Sequence, residues 1–74
     1  SMNIVWTKPN CPFCDMAKKL LDSKGIDYEV RVIGDPWTRD QLLEACPGVR
    51  TVPQVILDDV YIGTYERLKE HLST

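Results

Sequence analysis

Short apolar runs alternate along this chain with segments in which apolar residues recur at helical spacing. Residues 3–7 are rich in β-branched and aromatic side chains and stop before Pro9, which predicts a short buried strand. From Pro12 the apolar residues recur every three or four positions as far as Gly25, which predicts a helix of about three turns. The inward positions of this helix are Cys14, Ala17, Leu20 and Leu21.

The middle of the chain repeats the change from strand to helix. Residues 28–33 alternate apolar and charged side chains and are followed by the turn residues 34–36, so we expect a second strand, parallel to the first through a right-handed crossover. Thr38 is a good cap for a second helix that runs to about Ala45 and is stopped by Pro47. Its inward residues are expected to be Leu42 and Leu43.

The last third of the chain predicts a hairpin followed by a helix. Residues 54–57 and 60–62 are apolar runs split by two aspartates, and Thr64 can cap a final helix with Leu68 and Leu72 on one face. The order β-α-β-α-β-β-α indicates an α/β fold, with a mixed four-stranded sheet flanked by about three helices.

Size and charge limit the functions open to the chain. Its 74 residues fit one small domain over residues 1–74, in which Ser1, placed before Met2, is expected to be the remnant of a cleaved tag. A net charge of −2 without a basic cluster gives no case for nucleic acid as a partner. No apolar stretch approaches the ~20 residues of a membrane span. We therefore expect a protein that binds neither nucleic acid nor membrane.

The three cysteines point to redox chemistry. Three is too few for a disulfide-stapled secreted scaffold, and Cys11 and Cys14 form a C-x-x-C motif at the start of a helix, as in dithiol sites of reducing compartments. Unpaired N–H groups at a helix start lower a thiol pKa, so Cys11 is the expected nucleophile and the deeper Cys14 the resolving thiol. Lys8 adds positive charge nearby, whereas Asp15 opposes a thiolate. A zinc site completed by Cys46 and His71 is the alternative, but it lacks the paired short spacing of structural zinc sites.

Two stretches resemble the glutaredoxins, small members of the thioredoxin-fold superfamily: TKPNCPFCDMAKKLLDSKGIDYEV and GVRTVPQVILDDVYIG. The resemblance covers residues 3–72. It implies a thioredoxin-like fold and a glutathione-dependent enzyme that reduces protein disulfides and glutathione mixed disulfides. It further implies a cytoplasmic monomer with no bound cofactor and no metal, glutathione as cosubstrate, and disulfide-containing or glutathionylated proteins, among them a ribonucleotide reductase, as partners.

The same resemblance implies where glutathione binds. The Val52–Pro53 bond is expected to be cis, with the N–H and C=O of Val52 paired to the cysteine of glutathione. The start of the last helix is expected to hold the γ-glutamyl group, although Thr64 replaces a usual glycine and Glu66 is only a substitute for the usual acidic contact. The implied glutathione-binding residues are Lys8, Pro12, Phe13, Arg39 or Gln41, Thr51, Val52, Pro53, Gly63, Thr64, Tyr65 and Glu66.

Two other functions stay open at this point. The altered segment at residues 63–66 leaves room for a redoxin that is reduced by thioredoxin reductase, and Cys11 with glutathione could hold a [2Fe-2S] cluster between two subunits. Thr64 and Tyr65 also have plain interpretations, as a helix cap and a packing residue. We expect Trp6 and Cys46 in the core, and we place four further side chains outside it: Trp37 as a loop anchor or groove wall, Phe13 as an exposed aromatic, Arg50 at the surface and His71 facing solvent.

Overall fold

A four-stranded sheet with three helices makes up residues 1–73, the part of the chain that the computed structural model describes. The predicted order of elements is confirmed, and the observed bounds differ from the predicted ones by only a residue or so. The elements are β1 (Ile4–Thr7), α1 (Pro12–Ser23), β2 (Glu29–Val32), α2 (Arg39–Ala45), β3 (Gln54–Leu57), β4 (Val60–Gly63) and α3 (Tyr65–Leu72).

The sheet is mixed, as predicted, with the strand order β2-β1-β3-β4. β1 runs parallel to β2 and antiparallel to β3, and β3 and β4 form an antiparallel hairpin. The hairpin turn at Asp58 and Asp59 has φ angles of 50° and 67°, the left-handed values that a two-residue hairpin loop requires and that Asp tolerates. Because of these directions, the ends of β1, β2 and β4 and the start of β3 all lie at one edge of the sheet.

Helices cover both faces of this sheet. On one face, α1 and α3 pack against β1 and β3 through a cluster of buried residues: Val5, Ala17, Leu21, Val55, Leu57 and Leu68. On the other face, α2 packs through a smaller cluster: Ile4, Trp6, Leu42 and Cys46. Trp6 and Cys46 are therefore core residues, as predicted, whereas Leu43 is only half-buried. Among residues 1–73 we find no helix that has both the length and the apolar character needed to span a bilayer.

The edge strand β2 departs from a simple alternation. Val30 is 41% exposed, whereas the guanidinium of Arg31 lies 4.2 Å from the ring centroid of Trp37 and 5.2 Å from that of Trp6. The two indole rings meet edge to face at 5.3 Å, so Trp37 is an anchor for its loop. The charged side chain of Arg31 thus covers part of the buried cluster under α2, because its planar cation stacks on aromatic faces. The loop after β2 also contains a cis Asp35–Pro36 bond, which the sequence analysis did not predict.

The helix starts differ in how they are capped. Thr38 forms a capping box at α2, in which the Gln41 N–H donates to Thr38 Oγ1 (3.1 Å) and the Thr38 N–H donates to Gln41 Oε1 (2.9 Å). Thr64 occupies the N-cap position of α3 as predicted, but its side chain makes no capping hydrogen bond. The interpretation of Thr64 as a side-chain cap is therefore wrong, and the first N–H groups of α3 are left without that partner.

Replacing each cap residue by alanine tests this difference. Thr38→Ala removes a capping hydroxyl and is expected to lower the free energy of unfolding by about 1 kcal/mol. Thr64→Ala removes no capping bond and is expected to change it by less than about 0.5 kcal/mol. Urea unfolding of the two variants, followed by circular dichroism, measures both values. Equal losses in the two variants would contradict the assignment of the caps.

Candidate active site

Three loop segments meet at the edge of the sheet where β1 and β4 end and β3 begins. Residues 8–11 follow β1, residues 50–53 precede β3, and Gly63 to Tyr65 join β4 to α3. The residues that the sequence singled out lie on these loops and on the first turns of the helices that follow them. The mixed sheet is therefore what brings distant parts of the chain together here.

Cys11 and Cys14 form a disulfide, with their Cα atoms 5.2 Å apart. Cys11 is the N-cap residue of α1, and the Cys14 N–H donates a hydrogen bond to Cys11 Sγ over 3.2 Å. Pro12 occupies the first turn, where its missing N–H has no helical partner to lose. Cys14 is fully buried, while Cys11 keeps 7% of its surface exposed. Of the two cysteines, only Cys11 therefore keeps any surface exposed.

The negative charge of Asp15, next to the dithiol, is partly balanced by a lysine. The carboxylate of Asp15, which the sequence analysis placed against a thiolate, pairs with the ammonium of Lys18 at 3.5 Å, on the exposed side of α1. Because the pair lies on the solvent side, its effect on the Cys11 sulfur is screened. The Cys14 N–H already donates to Cys11 Sγ in the disulfide, and after reduction the same contact would stabilise negative charge on that sulfur.

The loop before β3 faces Cys11. The Val52–Pro53 bond is cis, as the resemblance implied, and the carbonyl oxygen of Val52 lies 3.8 Å from Cys11 Sγ. The buried side chain of Gln54 donates to the Thr51 carbonyl (3.0 Å) and accepts from the Tyr61 hydroxyl (2.7 Å). Burial, and to a lesser extent Cys46, raises the pKa of Tyr61 above its usual value, at which a phenol is already protonated at neutral pH and can donate. Sequence reasoning missed this pair, because nothing in the spacing shows that the two side chains meet.

A pocket of about 280 Å³ opens next to the dithiol. We call it the aromatic pocket, because the rings of Phe13 and Tyr65 line it with their centroids 6.2 Å apart. Phe13 is exposed, as expected. Besides these rings, the aromatic pocket is lined by Thr51, Val52, Pro53, Thr64 and Glu66.

A second pocket, of about 140 Å³, lies on the other side of Val52. We call it the basic pocket, because three cations line it. Its lining is Lys8, Ile33, Arg39, Leu42, Arg50, Thr51 and Val52. Thr51 and Val52 belong to both pockets, so the pockets adjoin at these residues. The carbonyl of Val52 also lies 3.8 Å from Cys11 Sγ, and we call the two adjoining pockets the groove.

Three predicted residues do not line the groove. The side chain of Gln41 is held in the capping box and lines a separate cavity of about 350 Å³ with Trp6 and Trp37. Pro12 is exposed at the start of α1, and Gly63 is buried with a φ of 125°, where an added Cβ would lie 3.2 Å from Arg67. Of the two alternatives Arg39 and Gln41, the structure thus places Arg39 in the basic pocket.

Arg50 is a groove residue that sequence reasoning left at the surface. Its side chain is exposed as expected, yet it lines the basic pocket together with Lys8 and Arg39. The signal that could have found it is its position directly before Thr51. A basic residue next to a segment that faces the dithiol has to lie near the groove.

The third cysteine and the histidine lie away from the dithiol. Cys46 is a free thiol in the core under α2, and burial raises its pKa. His71 is exposed on α3, as predicted. Within residues 1–73 no three His, Cys, Asp or Glu side chains are grouped so that they could hold a metal ion.

Comparison with known proteins gives a consistent result. The family model described as Glutaredoxin matches residues 3–62. The chain is 38% identical over 69 residues to the hybrid peroxiredoxin hyPrx5 of Haemophilus influenzae. This match covers 93% of this chain and 28% of that protein. It is also 38% identical over 60 residues to glutaredoxin 3 of Escherichia coli strain K12, with 80% of this chain and 71% of that protein covered. This chain thus spans less than a third of the hybrid protein.

Solved structures show the same likeness. Glutaredoxin 1 from Francisella tularensis, complexed with cacodylate, matches with a TM-score of 0.79 and 27% identity over 95% of this chain and 90% of that one. A buckwheat glutaredoxin–glutathione complex matches with a TM-score of 0.80 and 29% identity over 92% of this chain and 64% of that one. The predicted thioredoxin-like fold is confirmed.

Alkylation of the reduced protein tests whether the three cysteines differ in reactivity. We expect iodoacetamide to modify Cys11 before the other two cysteines. The reaction at Cys11 should already proceed below pH 8, where a free cysteine with a pKa of about 8.5 is mostly protonated. Cys46 is expected to react only after unfolding, because it is buried and its pKa is raised. Peptide mapping by mass spectrometry at several pH values gives each rate, with the protein in denaturant as the control. A Cys11 profile equal to that of the denatured chain would contradict this assignment.

Proposed function

This chain belongs to the glutaredoxin family of thiol-disulfide oxidoreductases, and from that premise we propose that glutathione is the reductant of its dithiol. In this proposal Cys11 and Cys14 reduce protein disulfides and glutathione mixed disulfides. The observation that carries it is the groove over Val52, whose carbonyl lies 3.8 Å from Cys11 Sγ. A tripeptide disulfide can bind across this groove with its sulfur next to Cys11.

The reaction begins with the thiolate of Cys11. It attacks the glutathione sulfur of a mixed disulfide, so that a new S–S bond forms and the protein thiol leaves with the electron pair of the broken bond. A second glutathione thiolate then attacks the same glutathione sulfur, which releases oxidised glutathione and restores Cys11. With a protein disulfide as substrate, Cys11 first forms a mixed disulfide with one protein sulfur and displaces the other as a thiolate. The thiolate of Cys14 then attacks Cys11 Sγ, the bound protein sulfur leaves as a thiolate, and the disulfide between the two cysteines is formed.

The groove offers a partner for each part of glutathione. Val52 supplies a backbone N–H and a carbonyl, and within residues 1–73 the N–H has no hydrogen-bond partner. The cysteine of glutathione can therefore pair with both groups. The glycine carboxylate lies in the basic pocket, beside Lys8 and Arg39. This orientation agrees with the resemblance and with the charge of the pocket.

The γ-glutamyl group lies at the start of α3. The first N–H groups of this helix have no intrahelical acceptor, and Thr64 does not cap them, so they are open to a carboxylate. Glu66 lines the aromatic pocket and can take the ammonium group, although it also pairs with Lys69 at 3.6 Å. As part of the same proposal, the protein acts as a cytoplasmic monomer without a bound cofactor, and its electron acceptors include proteins such as ribonucleotide reductase.

The electron source can be tested directly. Reduction of a small mixed disulfide is followed by NADPH consumption, once with glutathione and glutathione reductase and once with thioredoxin reductase. We expect turnover only with the glutathione couple, because the groove provides contacts for the tripeptide. Turnover only with thioredoxin reductase would overturn the proposal in favour of the other redoxin class. Brown colour after anaerobic purification would instead support the [2Fe-2S] carrier.

Serine variants test the roles of the two sulfur atoms. Cys11→Ser is expected to abolish both deglutathionylation and protein disulfide reduction, because it removes the nucleophile. Cys14→Ser should keep deglutathionylation, which needs one thiol, and lose dithiol reduction. Cys46→Ser is the matched control and should retain both activities, since that sulfur is buried in the core. The two activities are measured in parallel on a glutathionylated peptide and on a protein disulfide. Equal losses in Cys11→Ser and Cys14→Ser would contradict the roles given.

A further inference from the structure

We infer that the protein disulfides reduced at this site carry acidic residues directly after the cysteine that Cys11 attacks. The inference rests on the proposed function, because it takes the orientation of glutathione in the groove as its starting point. It concerns the basic pocket, where three cations from separate segments converge: Lys8 from the loop after β1, Arg39 from the first turn of α2 and Arg50 from the loop before β3.

None of these three cations has a carboxylate within 4.0 Å among residues 1–73. The chain has nine lysine and arginine residues, and four of them pair with a carboxylate within 4.0 Å among residues 1–73. Five are therefore left unpaired, and three of those five line the basic pocket. In a chain with a net charge of −2, this is a local excess of positive charge. Clustered like charges repel, so they favour an anionic ligand.

The placement of Arg39 strengthens the argument. As the first residue of α2 it lies at the positive end of the helix dipole, where a cation is unfavourable for helix stability. The capping box at Thr38 stabilises this end of α2 without it. With Asp40 as the acidic residue of the same turn, the charge of Arg39 does not stabilise this end of α2 through the dipole and is available to an anion in the basic pocket.

Glutathione alone does not match this charge. At its glycine end it carries a single carboxylate, which leaves two of the three cations without an anion. A protein chain bound in the same direction continues past its cysteine, and Asp or Glu at the next two positions would bring their carboxylates to Lys8, Arg39 and Arg50. The aromatic pocket, at the opposite end of the groove, has no lysine or arginine in its lining, and its one charged residue, Glu66, pairs with Lys69 at 3.6 Å. Acidic residues that come before the cysteine therefore meet no cation of the lining there.

The chemical step defines which chain is selected. The Cys11 thiolate attacks one sulfur of the substrate disulfide, an S–S bond forms between Cys11 and that sulfur, and the other sulfur leaves as a thiolate with the bonding electron pair. The chain bonded to Cys11 lies across Val52 and meets the basic pocket. The preference therefore applies to the residues after the attacked cysteine and not to those of the leaving thiol.

Two peptides of equal composition test the inference. Ala-Ala-Cys-Glu-Glu and Glu-Glu-Cys-Ala-Ala are each prepared as mixed disulfides with thionitrobenzoate, whose release as a coloured thiolate reports attack on the peptide sulfur. The reduced Cys14→Ser variant is used, so that only the first step is seen. Each rate is divided by the rate of the same peptide with a small free thiol. We expect the peptide with acidic residues after cysteine to react about three- to tenfold faster than its isomer.

Salt and two matched variants show where such a preference arises. At about 1 M salt, where the screening length is about 3 Å, the ratio should fall towards one. Arg50→Gln should lower it by about half or more, whereas Lys19→Gln, which loses the same charge from an exposed position on α1, should leave it unchanged. Equal rates of the two isomers, a faster Glu-Glu-Cys isomer, or a ratio insensitive to both salt and Arg50→Gln would overturn the inference.

The mixed disulfide of glutathione with thionitrobenzoate separates this inference from the proposed function. If it reacts faster than the neutral peptide Ala-Ala-Cys-Ala-Ala while the two acidic isomers react alike, only the inference about acidic substrates fails. If glutathione shows no advantage over the neutral peptide, the glutathione-dependent function fails, whatever the acidic isomers do.

Discussion

The N-terminus of α1 is the constraint around which this edge of the molecule is organised. A helix begins with N–H groups that have no intrahelical acceptor, and here a sulfur atom takes the place of the usual hydroxyl or carboxylate cap. The bond from the Cys14 N–H to Cys11 Sγ satisfies the helix and holds the sulfur in place at the same time. The redox group is thus also a structural cap, and the rest of the site is built towards it.

The sheet supplies the other half of the site. Because β1 and β3 are antiparallel neighbours, the end of one and the start of the other meet, so the loop with Val52 lies against the cap of α1. The hydrogen bonds from Gln54 to the Thr51 carbonyl and from Tyr61 to Gln54 then tie this loop to the edge strand β4. The groove is divided by Val52 into an aromatic and a basic half, and this division gives it a direction that a bound chain must follow.

Local features of the site could be predicted from sequence, whereas features that depend on how elements pack could not. The cap position of Cys11 and the capping box of Thr38 follow from neighbouring residues and the known geometry of a helix start. The placement of Arg50 in the groove depends on the path of a loop. The exclusion of Gln41 depends on a hydrogen bond back to its own helix start. Arg31 stacks on two indole rings, one from β1 and one from the loop after β2, and the alternating pattern of β2 cannot show which residues of other segments its side chains meet.

Both tryptophans of the chain, Trp6 and Trp37, belong to the core under α2, and none lies between the sheet and the pair α1 and α3. Their ring-to-ring contact at 5.3 Å makes their intrinsic fluorescence a sensor of that one layer. Emission spectra recorded during denaturation would therefore follow the detachment of α2 and would be blind to loosening on the opposite face, so a second optical signal is needed to establish that the two layers melt together.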